Sequence, residues 1–223
     1  MPNRPSVAAG RPPSPPSPPV PRRLLLILLL LMPSGVWAEG PAHPGAAHFV
    51  GELFGRVVAE ATGPMPQPRR AEQVGRLLTE FADLDHLGGF ALGRLGGEAR
   101  GGRRREYQAL FAGTLTALVA LGLERYDGER LALGRSSQQG EDVLVESELV
   151  WPGGQRVRLA WRLRNDGGRY RVRDVGIENL QLSFLLRDML TAAVGERADL
   201  DKIMTALRRL AAEPSLPALG GPQ

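Results

Sequence analysis

The run Gln155-Arg-Val-Arg-Leu-Ala-Trp-Arg-Leu-Arg164, the turn Asn165-Asp-Gly-Gly168 and the run Arg169-Tyr-Arg-Val-Arg-Asp-Val-Gly-Ile177 together decide the fold. In the first run Val157, Leu159, Trp161 and Leu163 alternate with Arg156, Arg158, Arg162 and Arg164. A period of two puts the apolar set on one face of a strand and the arginines on the other. Asp-Gly-Gly between two such runs suits the positive φ angles of a tight hairpin turn. In the second run the apolar set begins at Tyr170 and Val172 but continues at Val175 and Ile177, one step out of phase. One extra residue there, a β-bulge, accounts for the shift.

Upstream, Trp151-Pro-Gly-Gly154 predicts another turn. Val143, Val145 and Leu149, alternating with Leu144, Glu146 and Glu148, predict a further strand, and Leu131–Arg135 is the candidate for a fourth. Before Asp127 the spacing is helical. Phe49, Val50, Leu53, Phe54, Val57, Val58 and Ala61 mark one helix, and Val74, Leu77, Leu78 and Phe81 a second. A short element covers Leu84–Leu92, Gly93–Gly102 is loop-like, and Glu106–Tyr126 is a long helix with Phe111 and Leu115 facing inward. After the hairpin, Leu182, Leu185, Leu186, Met189 and Leu190 return to helical spacing, and Asp199 caps a last helix burying Leu200, Ile203, Met204 and Leu207. Helices, then an antiparallel meander, then helices predict an α+β fold. The expected architecture is a curved sheet of about four strands with helices packed on its apolar face.

The N-terminus reads as an address. Residues 5–22 are rich in proline and serine, Arg22-Arg23 abuts the aliphatic run Leu24–Met32, and Ala38 closes the stretch with a small residue. Basic region, short apolar core and small-residue exit form a secretory signal peptide. The alternative, an uncleaved anchor reaching Trp37, falls short of the roughly 20 apolar residues that span a bilayer. The expected organisation is a signal peptide with its extension over 1–38, a flexible linker over 39–48, one domain over 49–212 and a tail over 213–223. The expected location is the periplasm.

Composition removes several function classes. The chain of 223 residues carries 28 basic and 24 acidic side chains, and Arg4, Arg11, Arg22 and Arg23 account for the whole excess. A neutral body lacks the footprint that phosphate neutralisation requires, so a nucleic-acid binder is not expected. No cysteine is present, which excludes disulfides, thiol nucleophiles and cysteine-ligated metal. The histidines are His43, His48 and His86. His86 sits beside Asp83 and Asp85, and a carboxylate–histidine pair is what general acid–base chemistry uses. Residues adjacent on a helix do not face one another, so a polar surface patch explains the triplet as well. No metal, cofactor or catalytic constellation is expected.

Two surfaces remain. The outer face of the hairpin gathers Arg156, Arg158, Arg162, Arg164, Arg169, Arg171 and Arg173 against Glu146 and Glu148. Such an excess suits anionic head groups or an acidic partner, although cross-strand pairing would consume part of it. The inner face presents Val157, Leu159, Trp161, Leu163, Tyr170 and Val172 toward helices whose inward residues are Phe81, Phe111, Leu115, Leu185 and Met189. This set would line either an ordinary core or an apolar cavity.

The C-terminal half resembles a known family. Trp161-Arg-Leu-Arg, Gly168-Arg-Tyr170, Asp174-Val, Ile177-Glu178-Asn179-Leu180 and Arg187 follow the signature of the MlaC-type periplasmic phospholipid-binding proteins, also called toluene-tolerance or auxiliary ABC-transport proteins. Ala91-Leu-Gly-Arg94, Arg104-Arg-Glu-Tyr107 and Tyr126-Asp-Gly128 resemble its upstream landmarks. Asn179, Gln181, Leu186 and Gly96 depart from the residues usual there. The resemblance implies a cone related to the nuclear-transport-factor fold, with an apolar cavity for acyl chains between sheet and helices. It also implies a carrier without chemistry of its own. Its partners would be phospholipid, an inner-membrane ABC transporter with its membrane-anchored substrate-binding subunit, and an outer-membrane lipoprotein complex. Arg158, Arg162, Arg171 and Arg187 are the candidates for head-group or partner contact. A hopanoid-associated lipid binder of the same family, or a cone-fold enzyme using Asp85 and His86 on an apolar substrate, are the alternatives.

Overall fold

The structure, a computed structural model, describes residues 42–64, 66–195 and 199–215. The expected signal peptide and residues 216–223 of the expected tail lie outside the described residues. Among the described residues, six helices and five strands follow in the order α1 Pro44–Ala61, α2 Gln67–Phe81, α3 Leu84–Leu92, a 3-10 turn Gly93–Gly97, α4 Gly101–Leu123, β1 Arg130–Gln139, β2 Asp142–Val150, β3 Arg156–Asp166, β4 Arg169–Ile177, β5 Leu180–Gln181, α5 Leu182–Val194 and α6 Leu200–Ala212. The strands form one open antiparallel sheet in sequence order. The α+β class is therefore as expected, with a fifth, two-residue strand at the edge.

The hairpin is built as its sequence dictates. Gly167 and Gly168 both have positive φ, +64° and +92°, which a two-residue turn of the right twist needs. The Gly168 amide donates to Asn165 Oδ1 at 2.7 Å. Leu163 pairs with Val172 but Arg162 with Asp174, so Arg173 is the extra residue and the bulge lies where the apolar phase shifted. A second register shift, between Leu133 and Ser136 of β1, was not anticipated.

Helix ends are set by side chains at hand. Asp83 caps α3 by accepting from the His86 amide at 3.0 Å, and Asp199 caps α6 by accepting from the Lys202 amide at 2.8 Å. Helix α5 is capped from the sheet: buried Asp174 of β4 accepts from the Ser183 amide at 3.1 Å and from the Ser183 hydroxyl at 2.6 Å. Helix α1 starts at Pro44, five residues before the apolar spacing begins, with Ala46 and Ala47 buried. Residues 44–48, expected within a flexible linker, are thus helical. Proline suits the first helical position, and small residues leave no periodic signal where backbones pack closely.

Apolar side chains separate into two main cores. One lies between α1, α2 and the sheet, centred on Val50, Leu77, Phe81, Val143, Val145, Leu163 and Val172. The other is helical, drawn from α3, α4, α5 and α6 and including Leu87, Tyr107, Phe111, Leu115, Leu186, Leu190, Ile203 and Leu207. Among the described residues the sheet core draws its helical side chains from α1 and α2; Phe111, Leu115 and Met189, expected over the sheet's apolar face, lie in the helical core instead. Helix α2 serves both sides, turning Leu77 and Phe81 to the sheet, while Val74 packs with Ala120 of α4.

Candidate functional site

Register turns the inner face of the sheet into four cross-strand rows. The first is Gln138, Val143, Leu163 and Val172; the second Ser136, Val145, Trp161 and Val175; the third Leu133, Ser147, Leu159, Ile177 and Leu180; the fourth Leu131, Leu149 and Val157. Val145 and Ser136 of the second row and Ser147 of the third are buried, and cover is incomplete toward the ends of the third row and along the fourth. Val143, Leu163 and Val172 are buried, and Phe49 lies over that end with ring centroids 5.7 Å from Phe81 and 5.8 Å from Tyr170. Trp161 and Val175 are half-buried, as are Leu159, Ile177, Leu131, Leu149 and Val157. Leu133 and Leu180, at opposite edges of the third row, are 45% and 55% exposed. A side chain of that size exposed singly is ordinary; here the two lie at the ends of a row whose other apolar members are half-buried.

The row runs across five strands, about 19 Å at roughly 4.8 Å per strand. It contains few polar interruptions. Ser147 is one, and its hydroxyl accepts from Trp161 Nε1 at 2.9 Å, which satisfies both groups. Helix α1 forms the wall over β1: the His43 amide donates to Ser136 Oγ at 2.8 Å, and Gly51 passes so near Leu133 that a Cβ there would stand 3.3 Å from its Cδ1.

The eleven apolar residues expected to line one cavity do not converge. Phe81, Trp161, Leu163, Tyr170 and Val172 meet in the sheet core, with Val157 and Leu159 beside them on the less covered half. Phe111, Leu115 and Met189 belong to the helical core, and Leu185 is half-buried on α5. A crevice of about 10 Å³ lies among Phe111, Leu115, Leu118, Leu186, Met189 and Leu207, at the limit for a single water. Helical periodicity identifies an inward face but not the element it meets, so Phe111 and Leu115 were assigned to the wrong side. Leu131, Leu133, Leu149 and Leu180, which complete the rows, follow from extending each hairpin pairing across to the next strand. A second, open groove of about 770 Å³ runs beside α2 and α4, with Glu72, Arg76, Glu80 and Arg169 among its lining.

The arginine face is mostly paired. Arg156 meets Glu148 at 2.6 Å, Arg158 meets Glu178 at 2.9 Å, Arg164 meets Glu141 at 2.5 Å and Asp142 at 3.0 Å, and Arg162 lies 3.8 Å from Asp142. Four carboxylates beyond the two expected enter the face: Glu141 and Asp142 at the β1–β2 turn, Glu178 between β4 and β5, and Asp83 at the start of α3, 3.6 Å from Arg173. The Arg158 amide and guanidinium together hold the Glu178 carboxylate below its usual range. Arg171 donates to the carbonyls of Ala82 at 2.7 Å and Thr79 at 3.3 Å. Arg187 donates to the Phe90 carbonyl from Nε at 3.1 Å and lies over the Phe90 ring, 4.0 Å from its centroid. Of the four candidates for outside contact, Arg158, Arg171 and Arg187 are therefore engaged within the protein, and Arg162 is the most loosely held.

His86 is half-buried, and its partner is Arg173 rather than the adjacent Asp85. Arg173 Nη2 lies 2.8 Å from His86 Nδ1. A guanidinium only donates, so Nδ1 accepts and the ring is neutral with its proton on Nε2. Burial first, then Arg173, lowers the His86 pKa below its ordinary value against the pull of Asp83, Asp142 and Asp174. In an acid–base pair a carboxylate would accept from the imidazole; here a cation donates to it.

A comparison with curated proteins gives no match. Among solved structures, the chain is similar to a phospholipid-binding protein from Ralstonia solanacearum in complex with a phospholipid. The two are 21% identical with a TM-score of 0.64, over 75% of this chain and 97% of that one, which establishes a shared fold. The sequence profile of the MlaC protein family matches residues 51–209. The chain belongs to the MlaC family.

Proposed function

We propose that the protein binds phospholipid and carries it across an aqueous space, with acyl chains laid on the less covered half of the inner sheet face. The observation that carries this is the pair of apolar rows from Leu131 to Val157 and from Leu133 to Leu180, left incompletely covered by α1 and α2. One acyl chain spans half a bilayer's apolar core, about 15 Å, and the longer row offers about 19 Å. Family membership and the shared fold with a phospholipid-bound protein support the same ligand class. In this proposal the cone and cavity implied by the family form around the rows, with α1 moving outward over Leu133.

The energetics call for a carrier. Two chains of about 16 carbons, at roughly 0.8 kcal/mol per buried CH₂, represent about 25 kcal/mol of transfer from water. An apolar site that replaces the bilayer nearly one for one leaves loading and unloading almost balanced, so direction comes from partners that favour the open or the loaded state. In this proposal the traffic runs through the periplasm, between an inner-membrane ABC transporter complex and an outer-membrane lipoprotein complex; the signal peptide expected from the sequence and the family resemblance support that reading. The protein performs no chemistry on its cargo.

The test is uptake of a fluorescent phospholipid from vesicles. Leu159→Glu and Leu133→Glu put a charge into the third row and should reduce uptake at least tenfold. Ser137→Glu, exposed on the other face of β1, should leave it unchanged. Folded Leu159→Glu protein with undiminished uptake would overturn the proposal.

A further inference from the structure

The chain passes from the sheet core to the helical core at Ala82–His86. The Asp83 amide donates to the Val172 carbonyl at 2.8 Å, Arg171 holds the Ala82 carbonyl, and Leu87, Ala91 and Leu92 of the helix that follows are buried in the helical core. Arg173, the bulge residue of β4, closes this join from the sheet. Its guanidinium lies 3.6 Å from Asp83, 3.4 Å from Asp142 and 2.8 Å from His86 Nδ1.

We propose that His86 is a proton-operated clamp: neutral, it holds Arg173 and fixes α3 to the sheet; protonated, it releases that contact. Only the neutral ring can accept from Arg173, and a proton on Nδ1 would set two cations at hydrogen-bond distance. The charged groups facing His86 are Asp83 from its own helix, Arg173 and Asp174 from β4, and Asp142 from β2, with Asp85 next to it in the chain. These facing carboxylates are already engaged. Asp83 accepts from the His86 amide, Asp174 from Ser183 and Val175, and Asp142 meets Arg164 and Arg173. A proton on Nδ1 would have to share a carboxylate that already holds another donor.

The sign follows from the direction of the shift. His86 titrates lower in the folded protein than its ordinary 6.5, so the clamp's contribution is complete above that value and is lost as pH falls through the folded one. The remaining ties, Asp83 to Val172 and Arg171 to Ala82, should then open more often. One consequence rests on the lipid-carrier proposal: an anionic membrane at roughly −30 mV lowers the surface pH by about half a unit, which would favour a looser join where lipid is exchanged.

The test is nuclear magnetic resonance of the chain from Glu39, without lipid, from about pH 7.5 to about pH 5.5, above the carboxylate range. The expected results are a His86 ring protonated on Nε2 at neutral pH and a midpoint below 6.5. Exchange protection of the Asp83 amide, corrected for the intrinsic rate, should fall at least threefold with the same midpoint. His86→Gln keeps a neutral acceptor and should abolish the pH dependence; His86→Lys should show the low protection throughout. A ring protonated on Nδ1, a midpoint at or above 6.5, or the same fall in His86→Gln would overturn the clamp. The ring tautomer is read in the native protein, so the test survives if a variant fails to fold. Failure of lipid uptake would leave these results untouched and refute the carrier alone.

Discussion

Replacing Asp174 by alanine should remove the joint between β4 and α5. The carboxylate is 5% exposed and accepts three hydrogen bonds, from the Ser183 amide, the Ser183 hydroxyl and the Val175 amide. Ser183 is itself buried, so its amide loses its acceptor with no water to replace it. An unsatisfied buried donor costs about 1–3 kcal/mol, and a hydrogen bond to a charged group contributes about 1.5–3 kcal/mol. Removing the buried charge recovers part of its desolvation cost. The expected net loss is about 3 kcal/mol, large beside the 5–15 kcal/mol of an ordinary domain. At about 2–4 °C per kcal/mol for a chain of this size, Tm should fall by about 6–12 °C. Asp174→Asn retains one oxygen and should lose about half as much. The assay is urea unfolding of the chain from Glu39, with a double-mutant cycle to Ser183→Ala whose coupling should exceed about 1 kcal/mol. A loss below about 1 kcal/mol for Asp174→Ala, or strict additivity with Ser183→Ala, would refute the account of this joint.

Other outcomes follow from the same geometry. Tyr107, wholly buried with its hydroxyl donating to the Gly88 carbonyl at 2.8 Å, should lose about 1 kcal/mol on change to phenylalanine, measured by the urea midpoint. Arg187→Lys keeps the charge but loses the fork on the Phe90 carbonyl and the stack on its ring; it should destabilise about as much as Arg187→Ala, by about 1–2 kcal/mol, while phospholipid uptake stays unchanged in both. The Lys202 amide holds the Asp199 cap carboxylate below its usual pKa. Its stabilising effect is therefore present above about pH 3.9 and lost as pH falls through the folded value, a dependence that Asp199→Asn should flatten in acid unfolding curves.

What the sequence made legible was local and periodic. Alternation from Gln155 to Ile177 specified the central hairpin, its Gly-Gly turn and the bulge, because a one-residue slip moves every side chain to the other face. The resemblance carried the family, through the same hairpin and the landmarks at Ala91–Arg94 and Asp174-Val175. What remained hidden depends on how separate elements meet. Phe111 and Leu115 read as inward-facing in either arrangement, but α5 and α6 receive them, not the sheet. Two-residue β5 is too short for periodicity to register, yet it supplies Leu180. Arg158 seemed available in sequence because Glu178 lies 20 residues away, beyond a turn. Asp83 and His86 are neighbours in sequence, whereas the partner that gives His86 its character, Arg173, comes from a strand 87 residues later.

The most direct measurement is native mass spectrometry, with lipid extraction, of the protein purified without detergent. The account predicts a bound mass matching a phospholipid, lost on changing Leu159 or Trp161 to a charged residue in protein that remains folded. A clean mass of the unliganded chain, with no lipid taken up after incubation with phospholipid vesicles, would contradict it.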